Sequence, residues 1–537
     1  MLGYRKPMSP ISNFCFFFFF FLLFFFLSFS SSFLFALGDE DNNFNNNNNI
    51  NDDEDEQEII KFDLLHRHHP QVAEKIHGDM KIQDVSERMK DIHEHDHNRH
   101  RSISKSMNQK QVEDARLRAE AEAATEEEVA KSAILPPATS TPIGMRMISG
   151  ADFGSSEYFV ELKVGTPAQT FMLIADTGSD LTWMKCRYRR CFGNCSSNVN
   201  HKSKNEKKQR FRHAFLANHS SSFKTVSCSS TMCTNDLADL FAVRECHNPT
   251  SPCVYDYSYT GGASAKGIFA WETLTVGLTN GKEKQLHNSI IGCTESVQGS
   301  VFGGADGVMG LGTSSYSLTY KAAENANGGG FSYCLVDHLT DQRAISYFVL
   351  GIPTPSTSAS TSSAKLPAKM TYTKLYVGDP YSSFYGVDLI GISANGIMLN
   401  IPSRVWDINS GGGTIIDSGT SLTILAAPAF DMVMEALTPR LKKFQQLEIE
   451  PFDFCFNNSQ YTHEMAPKLR FHFGDGTVFE PPTKSYIVSV GKFISCIGFV
   501  SMPFPANNII GNILQQNHLW QFDFQKRRVG FAPSECI

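Results

Sequence analysis

The chain lacks any excess of positive charge: 48 Lys and Arg stand against 55 Asp and Glu over 537 residues, a formal net charge of −7. Nucleic acid is therefore not an expected partner, because a polyphosphate needs a concentrated basic surface. One locally basic stretch, residues 202–212 (Lys202-Ser203-Lys204-Asn205-Glu206-Lys207-Lys208-Gln209-Arg210-Phe211-Arg212), reads as a solvated insert loop, with a polyanion-binding patch as its rival. There is no Gly-x-Ser-x-Gly nucleophile elbow and no His-Glu-x-x-His, which sets aside hydrolases built on an activated serine or on zinc. No short-period internal repeat occurs, so solenoids and propellers are excluded. Helical patterning is scarce as well. Residues 39–58, Asn-rich and acidic with hardly any apolar side chain, read as disordered.

What is present falls into blocks. Arg5 and Lys6 precede an apolar core from Phe14 to Leu27 and a Ser-rich stretch ending near Ala36, the anatomy of a signal peptide over residues 1–37. The apolar run is also long enough for an uncleaved anchor. The phenylalanine-dense core favours the secretory route over a chloroplast transit peptide. Residues 110–135 combine Ala, Glu, Lys, Arg and Leu and stop at Pro136-Pro137, which predicts a helix. From about Gly154 onward, short β runs alternate with Gly-rich turns, as in Tyr158-Phe159-Val160-Glu161-Leu162-Lys163-Val164 before Gly165-Thr166-Pro167. Ala429 to Leu447 is the best helix candidate there, and the Ser/Thr-rich residues 353–367 read as a flexible linker.

Of the 13 cysteines, Cys15 lies in the apolar leader and the other twelve lie between Cys186 and Cys536. An even dozen implies an oxidising compartment and six bridges, whose connectivity spacing alone leaves open. A zinc site at Cys186-x4-Cys191-x3-Cys195 lacks finger spacing, and no metal or cofactor is expected. Asn218 and Asn457 head glycosylation sequons, informative only for a secreted chain.

The most informative feature is a near-duplication. Leu173-Ile174-Ala175-Asp176-Thr177-Gly178-Ser179 and Ile415-Ile416-Asp417-Ser418-Gly419-Thr420 place Asp176 and Asp417 at equivalent points, 241 residues apart. Apolar residues before each Asp suit a buried strand, so each carboxyl emerges from a dry floor. Gly178 and Gly419 permit a tight turn that brings backbone N–H groups to the carboxylate. Thr177, Ser179, Ser418 and Thr420 offer hydroxyls that hold the two carboxyls coplanar. Two carboxyls a few ångströms apart share one proton; the ionised member takes a proton from water while the other polarises a carbonyl. Val308-Met309-Gly310 and Ile509-Ile510-Gly511 repeat the duplication downstream.

These motifs resemble the pepsin-like aspartic endopeptidases, and the cysteine-rich insert 186–253 with Phe331-Ser332-Tyr333-Cys334-Leu335 and Phe531-Ala532-Pro533-Ser534-Glu535-Cys536 resembles their plant nepenthesin-like subgroup. The resemblance implies a mainly all-β, bilobal fold with two β-barrel-like lobes and the active site in the cleft between them. It implies Asp176 and Asp417 as the catalytic pair, Trp183 as the partner of a flap tyrosine, and a flap at Tyr259, Gly261 and Gly262, with Tyr257 the weaker candidate. The flap departs from the family pattern, since Thr260 stands where a Gly is usual.

It also implies the bridges Cys186–Cys191, Cys195–Cys293, Cys228–Cys253, Cys233–Cys246, Cys334–Cys536 and Cys455–Cys496. The implied organisation is a propeptide over 38–150, an N-terminal lobe over 151–350 and a C-terminal lobe over 351–537. Phe62-Asp63-Leu64-Leu65-His66-Arg67 resembles the start of the subgroup's propeptides. Polypeptide substrates, a monomeric state and the protein's own propeptide as intramolecular inhibitor follow as expectations. His66, His68, His69, His93, His95, His97 and His100 then suggest acid-triggered release, with metal binding at His93-Glu94-His95-Asp96-His97 as the rival reading. The competing function is a catalytically silent pepsin-like binding or inhibitor protein. Such relatives typically lose one Asp signature, whereas both are intact here.

Overall fold

The computed structural model describes residues 158–188, 213–241, 243, 246, 248–258, 264–277, 282–298, 302, 305–325, 329–337, 346–352, 369–381 and 383–536, the backbone of 143–149, and single helical positions 89, 93, 96, 97, 99–101, 103, 104 and 107. The chain separates into two units, Met1–Glu56 and Gln57–Ile537, and everything described belongs to the second. The expected leader 1–37, disordered run 39–58, helix 110–135, basic stretch 202–212 and linker 353–367 lie outside the described residues. So do Cys191, Cys195 and the flap residues Tyr259, Gly261 and Gly262.

Strands dominate, and helices are few and short, as a sequence of brief β-branched and aromatic runs between glycines requires. Gln169–Asp176 is held antiparallel to Tyr158–Val164 on one edge and parallel to Gly307–Gly310 on the other. The second half repeats the arrangement: Thr414–Ile416 lies antiparallel to Tyr385–Val387 and parallel to Asn508–Ile510. Both Asp-bearing strands are thus central and buried on both faces, which explains their unbroken apolar sequence.

A third layer joins the lobes. Thr371–Tyr376, Arg528–Pro533, His518–Asp523, Gly330–Cys334, Tyr347–Leu350 and Ile143–Ser149 lie side by side, each antiparallel to the next. Three adjacent strands from the C-terminal half meet three from the earlier part of the chain where His518–Asp523 pairs with Gly330–Cys334, and the core there stacks Phe331 on Phe522 at 4.5 Å between ring centroids. Fully burying one such ring is worth about 1.5–3 kcal/mol, so this layer fixes the two halves against one another. The fold is therefore mainly β and bilobal.

The helix expected over Ala429 to Leu447 occupies Ala427–Leu441 instead. Pro428 is favourable in a first helical turn, which moves the start earlier. The end is earlier because Gln446–Leu447 pairs as a strand with Cys455–Asn457.

Four of the six bridges carried over from the resemblance, Cys186–Cys191, Cys195–Cys293, Cys228–Cys253 and Cys233–Cys246, are corrected. Cys186 pairs with Cys293, Cys228 with Cys246 and Cys233 with Cys253. The reason is topological. The strand Trp183–Arg187 runs parallel to Glu283–Gln298 with Met184 opposite Cys293, which brings Cys186 within 5.0 Å, Cα to Cα, of Cys293. The turn Met232–Asp236 buries Cys233 against Cys253, leaving Cys228 for Cys246. Cys334–Cys536 and Cys455–Cys496 are the other bridges among the described residues.

Candidate active site

Asp176 ends its strand and Asp417 directly follows Thr414–Ile416, and both side chains are buried. Each carboxylate is held by its own loop in the same way. Gly178 N donates to Asp176 Oδ1 at 3.0 Å and Ser179 Oγ donates to Oδ2 at 2.6 Å. Gly419 N donates to Asp417 Oδ1 at 2.9 Å and Thr420 Oγ1 donates to Oδ2 at 2.5 Å. The glycines are needed chiefly for room. A Cβ on Gly178 would lie 2.8 Å from Asp417 Oδ1, and one on Gly419 would overlap Asp176 Oδ1.

The loops also grip each other across the lobes. Thr177 N donates to Ser418 Oγ at 3.1 Å, and Ser418 N donates to Thr177 Oγ1 at 2.8 Å. Ser418 Oγ donates to Ala175 O at 3.0 Å. This reciprocal pair ties the geometry of one carboxylate to the other through backbone atoms. Beneath, Val308-Met309-Gly310 runs parallel to Ile174-Ala175-Asp176, and Ile509-Ile510 parallel to Ile415-Ile416. Leu311 N donates to Asp176 O, and the Gln515 amide donates to Asp417 O.

Between the carboxylates lies Arg99. Its Nη2 donates to Asp176 Oδ1, its Nε donates to Asp417 Oδ2 at 2.8 Å, and Nη2 reaches Asp417 Oδ1 at 3.2 Å. One planar guanidinium thus spans both Asp side chains, placing them within the width of a single fork. Burial alone would push the Asp417 carboxyl up. The Arg99 guanidinium, with Thr420 and the Gly419 N–H, holds it below the usual carboxylate range. Two turn-mates anchor the same helix. Asp96 accepts from Ser421 N at 3.0 Å and Leu422 N at 2.6 Å, and His100 Nε2 donates to Asn507 O at 2.5 Å. Burial lowers the His100 pKa to about 4.

Trp183 is buried, its ring edge-on to Phe302 at 5.1 Å. The hairpin pairs Val254–Ser258 with Ser264–Gly277. Tyr255 faces inward and shares a hydrogen bond with Thr294 Oγ1 at 2.6 Å. Burial raises the phenol pKa of Tyr257, Asp180 and Asp176 raise it further and Arg99 lowers it. Asn218 is exposed and Asn457 is half-buried at a strand end.

Sequence reasoning missed Arg99, Asp180 and Gln515, and it weighed Asp96 only as a metal ligand, whereas its carboxylate accepts backbone N–H groups of Ser421 and Leu422. Arg99 sat unremarked among the histidines of residues 93–101, since nothing local distinguishes an arginine aimed at a distant carboxylate. Asp180 is a third buried carboxyl, accepting from Ser314 N at 2.9 Å, and burial pushes its pKa up.

Residues 158–352 match the family model described as xylanase inhibitor N-terminal, and residues 384–533 match xylanase inhibitor C-terminal. The chain is 31% identical over 399 residues to Aspartyl protease family protein 2 of Arabidopsis thaliana, covering 73% of each. It is 30% identical over 390 residues to aspartic proteinase nepenthesin-1 of Nepenthes gracilis, covering 71% of this chain and 79% of that one. Among solved structures, conglutin gamma, a basic 7S globulin from lupine seeds, superposes with a TM-score of 0.56 at 19% identity, covering 73% of this chain and 95% of that one. Basic 7S globulin from soybean gives 0.55 at 18%, covering 74% and 97%. These two share the fold. With two intact Asp loops and relatives at this identity, the chain belongs to the plant pepsin-like aspartic protease family.

Proposed function

We propose that the protein is an aspartic endopeptidase made as a zymogen, with Asp176 and Asp417 as its catalytic pair. The observation that carries this reading is the reciprocal loop geometry that aims both carboxylates at one guanidinium. Once Arg99 leaves, the pair loses its only described counter-cation and must share a proton. The ionised carboxylate then takes a proton from an attacking water, and the protonated one donates to the carbonyl oxygen of the scissile peptide. Acid and base are properties of the coupled pair.

Arg99 and its neighbours serve as the intramolecular inhibitor, and acid opens it. In the closed form the Asp417 pKa is lowered, so closure is favoured above the open-form value and lost as pH falls. His100 acts with the same sign, because its buried imidazole must stay neutral. Closure is fully present above 6.5 and weakens as pH falls towards about 4. The other described histidines of the helix, His93 and His97, also have lowered values through burial. His66, His68, His69 and His95 lie outside the described residues.

The bridges support passage through the secretory pathway, and among the described residues no helix is long and apolar enough to cross a membrane. A leader-tagged reporter entering chloroplasts would overturn the secretory assignment. A closer likeness, to the plant aspartic proteinase NANA, rests on Phe331 to Leu339, Gly411 to Asp417 and Gly511 to Asn517.

The deciding experiment is acid digestion of a denatured protein. Pepstatin-sensitive cleavage, abolished by Asp417→Asn, is expected. Its absence in correctly matured, bridge-intact protein would favour the second reading, a silent binding protein, which the inhibitor description of the matching family models supports.

A further inference from the structure

Behind the two Asp loops one kind of contact recurs with the halves exchanged. Tyr333 stands on Gly330–Cys334, in the half that carries Asp176, and its hydroxyl donates to Gln515 Oε1 in the other half. Gln515 Nε2 in turn donates to the main-chain oxygen of Asp417 at 3.2 Å and to Ile510 O at 2.7 Å. Trp520 Nε1 donates to Gln515 O at 2.9 Å, so this residue is held through both its side chain and its main chain. Tyr385 makes the reciprocal contact. It opens Tyr385–Val387, in the half that carries Asp417, and its hydroxyl donates to Leu311 O at 2.6 Å in the half of Asp176. Leu311 N donates to the main-chain oxygen of Asp176 at 2.8 Å. Both tyrosines are fully buried, and burial pushes both phenols well above their ordinary range, so they remain protonated donors. Their rings meet on Phe522, Tyr385 at 5.0 Å and Tyr333 at 5.6 Å between centroids, inside the aromatic stack that joins the halves.

We propose that Tyr333 and Tyr385 are crossed positioning residues, each bracing the main chain behind the opposite half's Asp and together fixing the separation of the two carboxyls. Each acts through one intervening residue, Gln515 or Leu311. The separation matters because it sets how strongly the pair shares one proton. Close carboxyls titrate in two widely spaced steps, and carboxyls that drift apart titrate in steps that converge. Arg99 faces the pair from its helix, Asp180 and Tyr257 face Asp176, and Tyr333 faces Asp417. The inference rests on the endopeptidase reading for its kinetic consequence, since the singly protonated pair is then the reactive form.

The test uses the full-length chain carrying Arg99→Ala, which takes the guanidinium from between the carboxylates. To this background are added Tyr333→Phe, Tyr385→Phe or Gln515→Met, one at a time. One measurement is the pH profile of kcat and KM on a peptide substrate. The other is a carbon NMR titration of the Asp carboxyls, assigned with Asp176→Asn and Asp417→Asn, which needs no turnover. Each tyrosine variant should lower kcat about tenfold while KM changes less than about twofold. The bell-shaped profile should narrow, its two steps approaching one another by about half a pH unit. Gln515→Met should reproduce Tyr333→Phe, because both break the same link. Tyr255→Phe in the same background removes a buried phenol bond to Thr294 instead, and should leave both steps in place. Lowered thermal stability with unmoved steps would make the two tyrosines merely structural and overturn the inference. So would steps that move equally in Tyr255→Phe. Converging steps by NMR with no turnover by any chain would uphold the braces and sink the endopeptidase reading instead.

Discussion

The two Asp loops leave no spare volume. A methyl group at Gly419 would overlap Asp176 Oδ1, so Gly419→Ala forces the carboxylates apart. A misplacement of about 1 Å can cost a hundredfold in rate, and kcat/KM of the acid-opened Gly419→Ala chain should fall by at least that much. Unchanged kcat/KM would mean that the loop relaxes freely. Tyr255 offers a contrast away from the chemistry. Its hydroxyl shares a bond with Thr294 in a fully buried site, so Tyr255→Phe leaves the Thr294 hydroxyl to find another partner. Loss of about 1–2 kcal/mol of stability is expected in denaturant unfolding, with kcat preserved. At this scale the sequence was highly legible. Asp176, Asp417 and their Ser, Thr and Gly neighbours lie where the duplicated motif implied. The reciprocal Thr177–Ser418 grip was not legible, because neither residue's partner is near it in the chain.

Among elements, the bridges differ in what they constrain. Cys334–Cys536 closes a separation of 202 residues and ties the inter-lobe platform to the chain end, whereas Cys228–Cys246 closes 18. Loop-closure entropy assigns about 5 kcal/mol to the first and about 3 kcal/mol to the second. Paired Ser replacements should therefore lower Tm more at Cys334 and Cys536 than at Cys228 and Cys246. The reverse order would show that native-state packing, not chain entropy, dominates. Element types were readable from period and length. The Ala427–Leu441 helix was placed nearly correctly, and its end was missed because a two-residue strand, Gln446–Leu447, outcompetes one more helical turn. The cysteine partners were not readable, since Cys186 and Cys293 meet only through parallel pairing of strands far apart in sequence.

For the whole molecule, the proposed zymogen makes closure of the cleft a proton-linked equilibrium. Asp417 and His100 both favour opening as pH falls, Asp417 by taking a proton its closed form resists and His100 by charging once exposed. The His100 contribution spans 6.5 down to about 4 and amounts to roughly 3 kcal/mol at full development. His100→Gln should therefore lower the midpoint pH of opening and flatten its slope by close to one proton. Accessibility of the cleft to a fluorescent pepstatin derivative would report it. An unaltered midpoint would remove the imidazole from the switch. Arg99→Ala should act in the opposite direction, opening the full-length chain at higher pH.

By itself the sequence determined two Asp loops on apolar strands and a mainly β duplicated architecture, and its cysteine count anticipated disulfide bridges. Those properties are local or periodic, so neighbouring residues are enough to state them. The tertiary structure alone decided which arginine lies between the carboxylates, which amides receive Asp96, and which cysteines meet. Each of these joins residues separated by long stretches of chain. Their encounter depends on how the platform sets one lobe against the other and on where the helix that carries Arg99 meets the two Asp loops.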